Sequence, residues 1–433
     1  MSQDTIFALA SGVGRSAVAI IRLSGPQVKT CLTALIRMVP PPRSAVLKQL
    51  RSDDGPIDQA LVLYFPGPHS FTGEDIAEFQ VHGSPAVVSC LLSALSRFPD
   101  CRLAEAGEFS RRALSNGKMD LAHIEGLIDL IDSETQMQRK QALRQMQGYL
   151  SDTIAAWRRS LLQVMALVES QIDFSDEEDV SSVDLQQIVT RIQDLIASLQ
   201  QALAQSDQGI RLREGLVIIV AGPPNAGKSS LVNYLAKKDV AIVSPIAGTT
   251  RDLIEVPLQL DGFPLTLIDT AGLRESHDPI EQEGVKRALL RAQQADLGLW
   301  LTAPDQHEHP PAGPDWILVR TKADLLPHAD PDHLSLSLHT GVGLDDLLQR
   351  LKAEAARRVG SGDALVTRER QRQAIDTAVL SLFRALDRLK DGSSLELAAE
   401  DLRLAGRCLG SVIGVVGVEA MLDSLFAEFC IGK

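Results

Sequence analysis

The sequence predicts an α/β chain with an all-α part. A mixed N-terminal α/β domain is followed by a discontinuous helical domain, into which an α/β P-loop nucleotide domain is inserted. Three observations carry this prediction. Gly222-Pro223-Pro224-Asn225-Ala226-Gly227-Lys228-Ser229 has the G-x-x-x-x-G-K-[ST] spacing, between an apolar run (216–221) and a helical pattern opening at Ser230-Leu231-Val232. Before residue 119, β-like apolar runs end in Ser-Gly and Pro-Gly pairs. From Met119, and again after the nucleotide domain, apolar residues recur at helical spacing.

In chain order, Val18-Ala19-Ile20-Ile21-Arg22-Leu23 and Ala60-Leu61-Val62-Leu63-Tyr64-Phe65 read as strands, and 85–95 as a helix. Three polar clusters punctuate this region: Arg22 inside its strand, Thr72-Gly73-Glu74-Asp75 leading to Glu78, and Gly107-Glu108-Phe109-Ser110 leading to Lys118. A charged Arg within an apolar strand is costly unless paired, so Arg22 is a candidate site residue. The competing reading is an edge-strand Arg reaching water. Helical spacing then links Leu121, Ile124, Leu127, Ile128 and Ile131; Ile154, Trp157, Leu161, Met165, Val168 and Ile172; and Leu185, Ile188, Ile192, Leu195 and Leu199. The acidic run 173–179 reads as a solvated loop. Helices resume over roughly 368–389 and 395–429. The expected domains are 1–118, 119–210, 211–355 and 356–433.

In the nucleotide domain, the glycines let backbone N–H groups converge on phosphate oxygens. Lys228 offers charge to the outer phosphates, and the Ser229 hydroxyl can ligate Mg²⁺. The next helix directs its positive end at the same anion. The runs 253–260 and 265–268 around Asp261-Gly262 predict a hairpin, an antiparallel edge on a parallel sheet. It leads into Asp269-Thr270-Ala271-Gly272, where Asp269 can hold Mg²⁺ through water and the Gly272 N–H can meet a γ-phosphate. Gly248-Thr249-Thr250-Arg251-Asp252 can add a threonine hydroxyl to the Mg²⁺. Thr321-Lys322-Ala323-Asp324 places a carboxylate that can accept both hydrogens of a guanine N1/N2 edge, which adenine cannot supply. These four elements in this order predict GTP. Ras-like proteins carry a water-orienting glutamine after the Asp-x-x-Gly glycine; here the residue is Leu273. Either hydrolysis is slow without help or another group acts, and spacing does not choose among the carboxylates of 274–284.

Composition narrows the class. A net charge of −13 excludes nucleic-acid binding over the whole surface, so any RNA contact is local. Five cysteines without a C-x-x-C pair suit a reducing cytoplasm and give no metal or disulfide signature. No signal peptide and no run of ~18 apolar residues is found, so no membrane span is expected.

These motifs make the chain resemble the MnmE (TrmE) family of tRNA-modification GTPases over essentially its whole length. The resemblance rests on 224–229, Ile246-Ala247-Gly248-Thr249-Thr250-Arg251-Asp252 and Asp269-Thr270-Ala271-Gly272-Leu273-Arg274 in the nucleotide domain. Outside it, the matching pieces are Phe71-Thr72-Gly73-Glu74-Asp75, Gly107-Glu108-Phe109-Ser110, Lys118-x-Asp120-Leu121-Ala122 and the tail Phe429-Cys430-Ile431-Gly432-Lys433. The resemblance implies an N-terminal folate-binding α/β domain, a discontinuous helical domain and an inserted Ras-like P-loop G domain. It also implies a cytoplasmic homodimer working with a flavoprotein of the MnmG/GidA type in a heterotetramer or larger complex. That complex adds a carboxymethylaminomethyl or aminomethyl group at the wobble uridine C5 of certain tRNAs, with the one-carbon unit from a tetrahydrofolate.

The same resemblance assigns roles. The 5-formyltetrahydrofolate contacts fall on Arg22, Glu78, Lys118 and Lys433, a carboxylate for the pterin edge and cations for the glutamate tail. The water-orienting acid falls on Glu281, and Mg²⁺ on Ser229 and Thr250. The K⁺ ligands fall on Asn225, Ser244, Ile246 and Thr249, supplying charge that an arginine finger brings elsewhere. The GTP contacts are Asn225, Ala226, Gly227, Lys228, Ser229, Ser230, Ser244, Thr249, Thr250, Asp269, Thr270, Ala271, Gly272, Lys322, Asp324 and Ser337.

There are departures from the family pattern. Thr321 stands where Asn is usual, weakening one base-loop contact, and Leu338 stands where Ala is expected. Ser244-Pro245 stiffens the potassium loop. The segment 302–315 is Pro- and His-rich and short, leaving its helix content open. Cys430 is a candidate catalytic thiol or a small buried apolar residue. Two rival classes are a GTP switch binding RNA or ribosome through Arg368, Arg370, Arg372, Arg384 and Arg388, and a folate-dependent transferase with a vestigial G domain.

Overall fold

The computed structural model describes residues 4–173, 185–237, 255–269, 295–325, 334–391, 394–416, 426 and 432. It forms two compact units, 1–128 with 410–433, and 129–409.

In the first unit, β1 (Thr5–Leu9), β2 (Ser16–Ser24), β3 (Val46–Ser52), β4 (Gly55–Phe65), β5 (Ile76–Gly83) and β6 (Cys101–Leu103) form one sheet in the order β3-β4-β5-β2-β1-β6. Period-two alternation splits its faces. Phe7, Ile21, Leu23, Val62 and Phe79 pack under α1 (Val28–Ile36) and α2 (Pro85–Ser96), while Ile6 and Ala8 meet Phe109 on the other side. Ser84 caps α2 and Pro85 occupies its first turn, as helix-start chemistry favours. Helix α3 (Glu108–Ser115) begins at Gly107, whose φ is 66°; a Cβ there would lie 2.7 Å from Phe426.

Helix α4 (Leu121–Asp132) is followed in the second unit by α5 (Gln136–Met146), α6 (Tyr149–Asp173), α7 (Leu185–Ala204) and α8 (Ser206–Glu214). Ile154, Trp157, Leu161 and Val168 of α6 and Ile188, Ile192, Leu195 and Leu199 of α7 are buried, as their spacing predicts. The acidic run 173–179 lies, beyond Asp173, outside the described residues. Helix α5 has little apolar periodicity. It starts with a capping box, Thr135 Oγ1 accepting from the Gln138 N–H and Gln138 Oε1 from the Thr135 N–H.

The nucleotide sheet comprises β7 (Leu216–Ala221), β8 (Glu255–Leu260), β9 (Phe263–Asp269), β10 (Leu297–Thr302), β11 (Asp315–Arg320) and β12 (Leu334–Ser335), in the order β12-β11-β10-β7-β9-β8. Every pairing is parallel except β8 with β9. Asp261 (φ 49°) and Gly262 (φ 89°) supply the two positive φ values of a tight hairpin turn. Helices α9 (Lys228–Lys237) and α10 (Leu344–Val359) cover the sheet, and the shared core runs from Leu212 to Val359. Residues 303–314 contain no helix. Trp300 Nε1 donates to the Glu308 carbonyl (2.9 Å), Trp316 Nε1 to Pro311 (3.0 Å), and the two rings meet edge to face.

Three glutamines of α5 hold the chain on either side of this sheet. Gln138 donates to the Arg213 carbonyl (3.1 Å), Gln141 to Gly209 (3.3 Å) and Gln145 to Leu365 (2.7 Å). Then come α11 (Glu369–Asp391) and α12 (Leu395–Val412). The pattern read as one helical stretch over 395–429 is interrupted after Val412. Gly414 (φ 81°) ends the helix, with its N–H bonded to Ser411 and the Val415 N–H to Gly410, a Schellman closure.

Candidate functional site

The phosphate-type loop joins β7, a central strand, to α9. Gly222 sits at φ 146°, and a Cβ there would lie 2.1 Å from the Leu301 carbonyl oxygen, so only glycine fits. Asn225 (φ 63°) and Gly227 (φ 89°) complete the turn. Lys228 Nζ reaches back to donate to the Gly222 and Pro223 carbonyls, both at 2.8 Å. Ser229 and Ser230 are exposed in the first turn of α9. Asp269 ends β9 in register with Val220 and is buried. An exposed hydroxyl at Ser229 and the Asp269 carboxylate are hard oxygen donors of the type Mg²⁺ takes. Asn225, also exposed, is the one described residue among those assigned to K⁺.

The loop expected to read the base follows β11. Lys322 adopts φ 54°, and Asp324 lies in a short 3₁₀ turn (Ala323–Leu325) whose Ala323 N–H donates to Leu336 at 3.0 Å. The Ser337 hydroxyl donates to Asp324 Oδ1 at 2.5 Å and holds that carboxyl below the usual carboxylate range. Asp324 is therefore ionised and oriented, as recognition of two N–H donors requires. Thr321 is buried, and its Oγ1 donates to the Ala226 carbonyl (2.8 Å) and more weakly to Thr302 (3.2 Å). The Thr321 departure thus keeps a tie to the phosphate loop. Gln306 supplies a second tie that sequence reasoning missed, donating to the Pro224 carbonyl at 2.8 Å.

In the first unit, Arg22 lies on β2 between β5 and β1, so it is not an edge residue. It stands directly opposite Glu78, and its Nε donates to Glu78 Oε1 at 2.9 Å. The guanidinium also lies over Phe71 and Phe109, 5.6 and 5.8 Å from the ring centroids, and donates to the Gly432 carbonyl at 3.4 Å. Gly432 (φ 107°) is forced by close approach, since a Cβ would meet the Leu9 carbonyl at 2.2 Å. The N-terminal motif and the C-terminal tail therefore converge on one pair of charges. Lys118 is exposed, with its stem beside Gly73.

Behind this pair the other polar clusters are tied together. Arg112 donates to Asp4 Oδ1 (2.9 Å), Glu108 (3.0 Å) and Glu74 (3.1 Å), and Ser24 donates to Glu74 at 2.7 Å and pairs with the Thr72 hydroxyl. Burial alone would raise the Glu108 carboxyl; Arg102, the Glu105 amide and Arg112 outweigh it and hold Glu108 below the usual range. The thiols of Cys31 and Cys101 lie 3.8 Å apart, and burial pushes the Cys31 thiol well up.

Several assigned residues lie outside the described ones: Ser244, Ile246, Thr249, Thr250, Thr270, Ala271, Gly272, Glu281, Cys430 and Lys433. Arginines of the rival RNA-binding face are engaged in ion pairs within the unit. Arg368 pairs with Asp129, Arg372 with Glu369, and Arg384 and Arg388 share Asp401. Among the described residues no helix is long and apolar enough to cross a membrane, and no three His, Cys, Asp or Glu side chains form a metal cluster.

Comparison with known proteins finds family matches along the chain. The family model of the GTP-binding protein TrmE N-terminus matches residues 5–118, and that of the MnmE helical domain matches 121–430. The tRNA modification GTPase MnmE of Bradyrhizobium sp. (strain BTAi1) is 50% identical, over 99% of each chain. That of Methylobacterium sp. (strain 4-46) is 52% identical over 99% of this chain and 100% of its own. That of Rhodopseudomonas palustris is 49% identical over 100% and 99%. The G domain of the T. maritima FeoB iron transporter is 24% identical over 32% of this chain and 98% of its own, at a TM-score of 0.23, too low to support any inference. With two family models in sequence and relatives at half identity along its whole length, the chain belongs to the MnmE family of tRNA modification GTPases, GTP hydrolases that act in tRNA modification.

Proposed function

We propose that the chain is a potassium-activated GTPase that works as a cytoplasmic homodimer with an MnmG/GidA-type flavoprotein. Together they add a carboxymethylaminomethyl or aminomethyl group at C5 of the wobble uridine of certain tRNAs, using a tetrahydrofolate one-carbon unit. The observation that carries the reading is the presence of two polar centres in one chain. One is a phosphate loop tied to a guanine-reading carboxylate; the other is an Arg22–Glu78 pair on an interior strand where the C-terminal tail arrives.

In the first centre, the loop amides and Lys228 bind the phosphates, and Asp324, oriented by Ser337, selects guanine. Ser229, Thr250 and Asp269 would hold Mg²⁺, and Asn225 with Ser244, Ile246 and Thr249 would hold K⁺. Bound there, the cations would supply positive charge against that developing between the β- and γ-phosphates. Glu281 aligns the attacking water in place of the glutamine that Leu273 replaces. In the second centre, Glu78 meets the pterin edge of 5-formyltetrahydrofolate, with Arg22, Lys118 and Lys433 as the cationic partners of the glutamate tail.

The test is the modified wobble uridine content of tRNA from cells lacking the chain, measured by mass spectrometry of nucleosides. The modification is expected to vanish and to return with the wild-type chain, but not with Lys228→Ala or Arg22→Ala. Unchanged modification in the deletion strain would refute the reading.

A further inference from the structure

A loop that cradles phosphate with N–H groups must turn its carbonyls outward, where a side chain from outside the loop can hold them. In a trans peptide the N–H of one residue points opposite the carbonyl of the residue before it. Whatever anchors a carbonyl therefore aims the next amide. The loop can be followed peptide by peptide. The Gly222 and Pro223 carbonyls are held by Lys228, but both precede prolines, which have no N–H to aim. The Ala226 N–H turns inward to the Pro223 carbonyl at 3.4 Å. The Asn225 and Gly227 amides follow the Pro224 and Ala226 carbonyls. Each of those carbonyls is held from outside the loop, one by Gln306 and the other by Thr321.

Resting on the GTP reading above, we propose that Gln306 is a positioning residue for nucleotide binding: by holding the Pro224 carbonyl it aims the Asn225 N–H at the phosphates. Its geometry suits the task. The turn 303–306 closes by the Gln306 N–H to the Ala303 carbonyl (3.0 Å), and Gln306 Oε1 accepts the N–H of buried Ala303 at 2.9 Å. With the oxygen committed there, Nε2 faces Pro224; a flipped amide would set oxygen against oxygen and nitrogen against nitrogen. The helix-free coil carrying Gln306 is itself secured by the indoles of Trp300 and Trp316. The residue thus reaches the loop from a fixed base.

The test uses the full-length chain and equilibrium titration with fluorescent GDP and GTP analogues. Gln306→Glu keeps the acceptor for Ala303 but turns a carboxylate toward the Pro224 carbonyl. It is expected to weaken both nucleotides about tenfold or more, raising KM while kcat and the guanine-over-adenine ratio hold. Gln306→Ala is expected to weaken them about three- to tenfold, the net worth of one neutral hydrogen bond. Should Gln306→Glu not fold, as judged by thermal unfolding, Gln306→Met of similar length takes its place. Wild-type affinity in Gln306→Glu overturns the proposal, as does a loss confined to Gln306→Ala, which would reduce the residue to a pin for its own coil. Lys228→Ala in the same titration separates the two levels. Nucleotide binding retained there overturns the phosphate-loop reading itself, whereas loss there with an unaffected Gln306→Glu overturns only the positioning role.

Discussion

Thr321→Val removes one hydroxyl and almost no volume, and the structure shows what is left behind. Thr302 keeps a donor, because its carbonyl also accepts the Thr321 backbone N–H at 2.9 Å. The Ala226 carbonyl loses the Thr321 hydroxyl, and Ala226 is fully buried. A buried acceptor stripped of its partner costs about 1–3 kcal/mol. Because that carbonyl orients the Gly227 amide, we expect the cost in the nucleotide-bound state. Full expression in binding is roughly a 5- to 150-fold loss at about 1.4 kcal/mol per decade, and less if the loop relaxes. The assay is titration of the full-length chain with fluorescent GTP beside thermal unfolding with and without nucleotide. Thr321→Ser, which keeps the hydroxyl, should stay near wild type, and Thr321→Asn should bind GTP at least as well with unchanged guanine selectivity. If Thr321→Val bound GTP like the wild type, the coupling between base loop and phosphate loop would be wrong.

Four further outcomes are expected. Asp324→Asn shifts preference from GTP toward xanthosine triphosphate, read by competition binding; continued preference for GTP would remove the base-reading role of 321–324. Arg22→Ala or Lys118→Ala weakens 5-formyltetrahydrofolate binding by about 1.5–3 kcal/mol, the worth of a hydrogen bond to a charged group. Calorimetry giving wild-type affinity in both returns these residues to structural duty. Replacing K⁺ by Na⁺ at equal ionic strength slows GTP turnover about tenfold or more, and Glu281→Ala stops most hydrolysis while GTP still binds. Equal turnover in both salts together with an active Glu281→Ala chain sinks that mechanism. Finally, the Glu108 carboxyl is held low when folded, so its ion pairs stabilise above its unfolded value of about pH 4.3 and are lost as pH falls through the folded value. Arg102→Met should therefore lower the thermal midpoint near neutrality and converge on the wild type in acid; a pH-independent difference contradicts this assignment.

What was legible from residues alone follows the range of the forces involved. The phosphate loop, the Asp261-Gly262 hairpin and the apolar faces of α6 and α7 depend on neighbours a few positions away, so spacing and turn chemistry expose them. Arg22 could be flagged as anomalous, but its partner Glu78 sits opposite it only through strand register, which turns and pairing decide. Helix α5 escaped notice because its face toward the protein is built from glutamines; Thr135-x-x-Gln138 was the available signal. Thr321 reads as a loss in sequence because the hydroxyl's partner, Ala226, lies in the loop after another strand. The nearness of Cys31 and Cys101 is invisible to short cysteine spacings, because an α-helix and an edge strand bring them together.

The three glutamines of α5 join the two segments that flank the nucleotide sheet. The nucleotide sheet is entered through 209–215 and left through 360–368, and these segments run side by side: a Cβ on Gly209 would lie 2.2 Å from the Val366 carbonyl oxygen. One helix grips both segments, so the two connections are fastened at a single element. Gln138 and Gln141 hold the entering segment, and Gln145 holds the leaving one. Met137, next to Gln138, lies against Gly262 at the tip of the hairpin whose second strand ends in Asp269. The same helix therefore touches both attachment segments and the hairpin that leads to Asp269.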